Sequence, residues 1–421
     1  MSRREPAVSL FVCGRFNSLH TDALTRRHCS LSTDAKKAPY LVADTTFKVC
    51  VDGFGVTYSQ SQQIDLIHRL AALPFKGTVK LKHPQHVFWL IETHGKDSGL
   101  ALPSCQKRFY FGRQLGRGDR SALVSLDLRY RRYLGPTSMD HEMALIMCNM
   151  GLVKAGHLVH DPFTGTGSIL MAAAHLGALT SGADIDIRVI RDGKRHAVSG
   201  QRVNVWTNFD DAKMNRPLHI LHCDLAHLPF RHTLQGWAHA WVCDPPYGVR
   251  AGGRKAGGRK RDENGNVPAV PEHLRGNHVP STAGYPLTEC IADLLDEAAK
   301  ALVINGRLVY FYPAAARDVV GTSSVEVDND ELAMAATAHL PHHPCLELVA
   351  HSLQMLTSRW GRRLVTMRKT RDWYPEAKSE AAAWNAKSSL DAVRARVMPQ
   401  DGFAEDEDKV FSWQAYRGKR T

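Results

Sequence analysis

The chain lacks the features on which several broad readings depend. It has no C-x-x-C pair, and its nine cysteines stand singly from Cys13 to Cys345. An odd, dispersed set excludes a secreted disulfide framework and offers no zinc-ligand spacing. The 22 histidines also lack compact ligand spacing, so no metal site is expected in this chain, and His83 and His86 suit packing or RNA contact. No run approaches eighteen apolar residues, which removes a transmembrane helix from expectation. Acids are outnumbered, 42 Asp and Glu against 54 Lys and Arg, for a net charge of +12. That balance favours a polyanionic partner through counterion release, although charge alone does not name it. A length of 421 residues permits two or three domains, and 43% hydrophobic residues suffice for their cores.

One further absence is local. Leu158-Val159-His160 reads as a buried strand, Asp161 to Gly167 as a tight turn, and Ser168 to His175 as the opening of a helix. A helix N-terminus at the carboxyl end of a strand is where α/β sheets bind ligands. The dinucleotide fingerprint requires a third glycine three residues beyond Gly167, and Leu170 stands there instead. An NAD site is therefore disfavoured, while Phe163, Gly165 and Gly167 still allow a ligand close to the backbone.

A series of acidic residues then follows at strand ends. Asp184 ends the next strand and suits both hydroxyls of a ribose, with Asp186 as a cap or support. Asp224 ends Leu218 to Cys223, where its carboxylate can accept from an adenine amine; a turn role fits the same position. Asp244 ends Ala238 to Cys243 and opens Asp244-Pro245-Pro246-Tyr247. The amine of a nucleobase is a poor nucleophile because its lone pair is delocalised into the ring. Asp244 and the Pro245 carbonyl can take its two N–H groups and turn the nitrogen toward an incoming methyl. The prolines stiffen this loop, and Tyr247 offers a face for a flipped base. Asp161, Asp184, Asp224 and Asp244 in this order point to S-adenosyl-L-methionine beside a nucleobase, hence an N-methyltransferase.

Arg250 to Thr282 alternates basic residues with glycines and then prolines, and is expected to be mobile when free. A basic flap on RNA and a solvated insertion both fit it. Ile291, Leu294, Leu295, Ala298 and Leu302 recur at helical spacing, and Arg307 to Tyr312 resumes the sheet. Leu346 to Ala350 and Arg363 to Met367 form a closing hairpin, so the sheet is expected to be mixed. Thr137 is placed as the cap of a helix from Ser138 to Met150, with Asp140 reaching back, and as a cofactor contact. Phe109, Tyr110 and Phe111 read as a linker packed between domains.

With these blocks in view, the chain resembles the eukaryotic tRNA guanosine N2-methyltransferase family that modifies position ten, the Trm-eleven catalytic subunits. The likeness runs through Thr45 to Val49, Leu73 to Gly77, His83 to Phe88, Phe109 to Arg113, Gly135 to Asp140, the Asp161 and Asp184 motifs, and Asp244 to Arg250. It implies a small α+β THUMP-like RNA-binding domain followed by an α/β, Rossmann-like class I methyltransferase with a mixed seven-stranded sheet. The corresponding division is a short extension 1–40, a THUMP-like region 41–118, a methyltransferase domain 119–370 with its basic insertion at 250–282, and a tail 371–421. Asp244, Pro245 and Tyr247 take the catalytic positions; Asp161, Phe163, Gly165, Gly167, Asp184, Asp224 and Thr137 take the cofactor. The resemblance also implies tRNA as partner, a small zinc-binding activator subunit on an apolar face, and no membrane. The N-terminal part departs from the family in its brevity.

Scattered cysteines suit a reducing compartment, and the cytoplasm is expected. The mitochondrion is the alternative, because residues 1–38 hold five arginines and only Glu5, Asp22 and Asp34 as acids. Two other functions remain open on the residues: an adenine N6-methyltransferase of RNA or DNA, since Asp244 to Tyr247 does not distinguish ring amines, and an inactive RNA-binding protein.

Overall fold

The computed structural model describes residues 11–16, 34–54, 57–93, 108–116, 121–196, 199–231, 233–246, 253–257, 272, 282–315, 340–356 and 360–387. The described residues divide into two compact units, one up to residue 116 and the other from Ser121 onward.

The N-terminal unit is a five-stranded sheet of β1 (Phe11–Phe16), β2 (Thr46–Phe54), β3 (Thr78–Val79), β4 (His86–Thr93) and β5 (Arg108–Arg113), in the order β1-β5-β4-β2-β3. β2 runs parallel to β3 and β4, while β5 is antiparallel to β4 and β1. Alternate residues Phe88 and Leu90, with Phe109 and Phe111, turn to one apolar cluster beside Phe47, Leu70 and Leu73. Phe47 stacks on Phe75 at 4.7 Å between centroids, and Phe88 on Phe111 at 5.7 Å. Thr46 N–H donates to Gln85 Oε1 at 2.8 Å, and Gln85 N–H returns a bond to Thr46 Oγ1 at 3.1 Å. Two blocks far apart in sequence thus clasp each other. Phe109 to Phe111 is therefore a core strand and not a linker, and the stretch expected as an extension supplies the edge strand β1.

The second unit is built on β6 (Leu158–Asp161), β7 (Leu179–Asp184), β10 (Ile220–His222), β11 (Ala238–Cys243), β14 (Leu302–Ala315), β15 (Leu346–Met355) and β16 (Trp360–Lys369). Two small hairpins, β8 (Lys194–Arg195) with β9 (Arg202–Val203) and β12 (Arg254–Ala256) with β13 (Thr282–Gly284), lie outside the main sheet. Its order is β10-β7-β6-β11-β14-β16-β15, seven strands in which β16 is antiparallel to both neighbours. The mixed, Rossmann-like sheet expected from the sequence is thereby realised. Both faces are covered. In β11, Ala240 and Val242 join the cluster under the helices His141–Met150 and Ser168–His175, while Trp241 and Cys243 join the cluster under the helix Leu287–Ala301. A strand buried on both sides reads as an unbroken apolar run, which is how Ala238 to Cys243 stood out. From β6 the chain winds outward to β7 and β10, then returns across β6 to β11. The switch point lies between β6 and β11, where such sheets take ligands.

Three local expectations are corrected. Asp140, not Thr137, caps the first helix: its Oδ1 accepts from Glu142 and Met143 N–H at 3.0 and 3.3 Å, and the helix starts at His141. Leu302, placed in the helical repeat, begins β14 instead. Residues 371–387, expected as part of a tail, pack into the unit. Ala377 of the helix Ala377–Lys387 is fully buried, Trp373 Nε1–H donates to Asp296 at 2.7 Å, and Lys378 pairs with Asp293 at 2.8 Å.

Candidate active site

Asp161, at the carboxyl end of β6, is 1% exposed. Its Oδ1 accepts from Phe163 N–H at 3.0 Å, and its own carbonyl accepts from Thr164 Oγ1 at 2.9 Å, folding the chain into a tight loop. Burial, with Asp184 and Asp244 nearby, pushes the Asp161 carboxyl well above the ordinary carboxylate range. The loop closes with Gly167 N–H on the Thr164 carbonyl at 2.8 Å. Gly165 and Gly167 have φ of +50° and +83°, and a methyl on Gly167 would stand 2.8 Å from Val205 Cγ2. Glycine is required at both for backbone reasons. At Gly165 the space a side chain would fill is open, with only the Phe163 carbonyl 3.9 Å away.

Asp184, at the end of β7, fastens this loop from the side. One carboxylate oxygen accepts from Gly165 N–H at 2.8 Å and the other from Asp186 N–H at 2.9 Å. Burial pushes the Asp184 carboxyl above the ordinary carboxylate range, opposed by those two backbone bonds. Asp186 accepts from Arg188 N–H at 3.0 Å just before the turn Arg188–Asp192, whose cap position is Ile187; of the capping or supporting roles expected for it, this is the supporting one.

Asp224 is placed differently from the expectation of a free acceptor. Its side chain is 2% exposed, and its oxygens take His227 Nδ1 at 3.0 Å and the N–H of Ala256 in β12 at 2.7 Å. The root of the basic insertion is thus tied to this carboxylate through the β12–β13 hairpin; most of the rest of the insertion, expected to be mobile when free, lies outside the described residues. Lys255 in that hairpin pairs with Glu289 and lies over the Tyr285 ring.

Asp244 leaves the end of β11 on the other side of the switch point. Its Oδ1 is buried and has no hydrogen-bond partner among the described residues. Its Oδ2 lies 3.6 Å from Nη1 of Arg362, whose guanidinium stacks 3.8 Å from the Phe311 ring centroid and donates to Gln354. Burial pushes the Asp244 carboxyl up to about 6, against the downward pull of Arg362. Pro245 is buried behind it; Tyr247 lies outside the described residues. An ionised oxygen held out of water without a donor is poised to accept one.

Residues not singled out from sequence complete the site. A side chain on Gly182 would collide with Thr164 Oγ1. Ser138 and Thr166 hydroxyls bond at 2.7 Å, and Arg131 Nη1 donates to Ser168 Oγ at 2.7 Å. Thr137 itself is exposed. Arg362 belongs to a strand remote in sequence, and only its place in the sheet could have found it.

Comparison with known proteins follows this geometry. Residues 19–120 match the family model described as Tmrp11 THUMP N-terminal domain, and residues 129–261 match that of an RMKL-like methyltransferase domain. The chain is 39% identical to tRNA (guanine(10)-N(2))-methyltransferase TRMT11 of Dictyostelium discoideum, over 77% of this chain and 61% of that protein. It is 35% identical to the Homo sapiens TRMT11 over 80% and 69%, and 34% identical to that of Gallus gallus over 90% and 76%. The chain belongs to the TRMT11 family. Against the Dictyostelium member it spans about three fifths of the length. The RMKL-like methyltransferase match takes in the strand ends bearing Asp161, Asp184, Asp224 and Asp244 and stops before Arg362. No helix among the described residues is long and apolar enough to cross a membrane.

Proposed function

We propose that this chain transfers a methyl group from S-adenosyl-L-methionine to the exocyclic N2 amine of guanosine 10 in tRNA. The observation that carries the reading is the buried, unpartnered Oδ1 of Asp244 across the switch point from a glycine loop with an open face. The donor set fits the cofactor: Gly165 and Gly167 leave room at the backbone, Asp184 is the acceptor for ribose hydroxyls, and Asp161 and Phe163 shape the loop between them. Asp224 and Thr137 complete the assigned set, Asp224 on the adenine side with its oxygens engaged by His227 and the Ala256 N–H. When bound, S-adenosylmethionine supplies an electrophilic methyl on sulfonium.

The protein supplies orientation. Asp244 and the Pro245 carbonyl accept the two N–H groups of the guanine amine, which directs its nitrogen lone pair out of the ring plane. Tyr247 provides the stacking face. As the amine becomes positively charged on methylation, the Asp244 carboxylate stabilises that charge and can receive the released proton; an acceptor near 6 is ionised at neutral pH and still basic enough to do so. Positioning of this kind accounts for much of the rate gain in a displacement between bound partners.

The tRNA substrate is supported by the TRMT11 relatives and by the THUMP match. The family resemblance adds a small zinc-binding activator subunit. Exposed Leu179 and Leu218, beside the open edge strand β10, offer the apolar surface for it. The test is methyl transfer from labelled S-adenosylmethionine to unmodified tRNA, with and without the activator, read by nucleoside mass spectrometry. N2-methylguanosine that vanishes when guanosine 10 is replaced supports the proposal; another methylated base overturns it.

A further inference from the structure

After β7 the chain makes the turn Arg188–Asp192 and enters the β8–β9 hairpin. Residues 187–203 contain Arg188, Arg191, Lys194, Arg195 and Arg202 against a single acid, Asp192. Lys194, Arg195 and Arg202 are exposed. The antiparallel register sets Arg195 directly opposite Arg202. Like charges facing each other across paired strands oppose the pairing.

Neither guanidinium meets a carboxylate among the described residues. Arg195 Nη1 reaches only the Gly200 carbonyl, at 3.4 Å, and Lys194 Nζ the Leu134 carbonyl, at 2.8 Å. Neighbouring arginines are treated otherwise: Arg188 pairs with Asp186 at 2.7 Å, Arg216 with Asp210 at 2.5 Å, and Arg132 with Asp211.

The hairpin is held in place despite burying little beyond Val203. His196 N–H bonds the Gln201 carbonyl at 2.8 Å, and Gly200 N–H returns to His196 at 2.9 Å. Gly193 lies so close to the Val203 carbonyl that no side chain fits there. Its connection to the cofactor loop is short. Lys194 is tied to Leu134, Tyr133 Oη donates to the Val189 carbonyl at 2.7 Å, and Ser138 in the same segment bonds Thr166. A fixed pair of like charges, with no counter-ion among the described residues, is relieved by a bridging anion.

We propose that Arg195 and Arg202, assisted by Lys194, bind the phosphate backbone of the RNA substrate next to the nucleoside entering the site. The inference rests on the tRNA reading above and assigns a contact surface within the methyltransferase unit. Arg195→Glu and Arg202→Glu are the direct variants. Each is expected to weaken binding of unmodified tRNA by about tenfold or more and to lower the slope of log affinity against log salt by about one. Affinity for S-adenosylhomocysteine should stay at the wild-type value. Because each single reversal turns a repulsive cross-strand pair into an attractive one, the unfolding temperature should hold or rise, which separates lost contact from lost fold. If wild-type protein binds tRNA and both reversals stay within about twofold of it, the proposal is overturned. If the wild type neither binds nor methylates tRNA, the underlying substrate reading falls, and this contact with it.

Discussion

The carboxylates at the ends of β6 and β7 and the carboxylate at the end of β11 are alike in sequence and opposite in circumstance. Asp161 accepts from Phe163 N–H, and Asp184 accepts from the N–H groups of Gly165 and Asp186, so both hold the shape of the loop. Asp244 is less deeply set than Asp161, yet its Oδ1 is buried with no hydrogen-bond partner among the described residues, and its Oδ2 lies 3.6 Å from a guanidinium. A buried acceptor left without a donor costs roughly 1–3 kcal/mol. The contrast separates carboxylates that already brace the loop from one that has an oxygen still waiting for a donor.

The largest effect that can break this division is on turnover. Asp244→Ala should lower the methyl-transfer rate about a hundredfold or more, while the dissociation constant of S-adenosylhomocysteine, measured by calorimetry, changes little. Retained turnover would move catalysis elsewhere. Asp184→Asn should do the reverse. An amide cannot accept from both Gly165 and Asp186 N–H, so cofactor affinity should fall about 10- to 100-fold, the size of one or two lost buried bonds.

A pH profile sharpens the comparison further. The acceptor must be ionised, and Asp244 titrates near 6, so kcat/KM should be flat above that value and fall about tenfold per unit below it. A flat profile down to pH 5 would contradict the role. Stability runs the other way. The folded Asp244 binds its proton more tightly than an unfolded aspartate does, so stability is lost as pH rises from about 4 to 6. Asp244→Asn removes that loss: its unfolding temperature should exceed wild type by a few degrees at neutral pH, with the gap closing below about pH 4. The smallest effect concerns the cap. Asp140→Ala should cost about 1 kcal/mol in denaturant unfolding, and Thr137→Ala almost nothing.

Much of this site was legible because parallel strands are buried on both faces and end abruptly, so an aspartate after an apolar run marks the carboxyl edge of a sheet. The glycine loop was legible for the same kind of local reason. What escaped was long-range. Arg362 and Gly182 matter through neighbours set by strand order. Thr137 and Asp140 are both reasonable caps three residues apart, and tertiary geometry chose between them. The helix Ala377–Lys387 has alanines on most sides and shows no apolar stripe; its attachment depends on Ala377 and on polar pairs to Asp293 and Asp296 that no periodicity reveals. Asp224 was placed correctly at a strand end, but its engagement with Ala256 depends on where a distant hairpin settles. β1 escaped because six residues in a basic stretch carry little alternation, and pairing to β5 defines them as a strand.

The reversed strand β16 has a consequence for the order of assembly. It enters the sheet between β14 and β15, so β15 has no partner until the later segment arrives. The same strand brings Arg362 to Asp244. On a ribosome, the cofactor loop and the Asp244 turn emerge long before their cationic neighbour does. A nascent chain arrested before Trp360 would hold the Asp244 carboxylate without the charge beside it and leave the edge of β14 open to other strands. Completion of the candidate site is thereby tied to translation of β16.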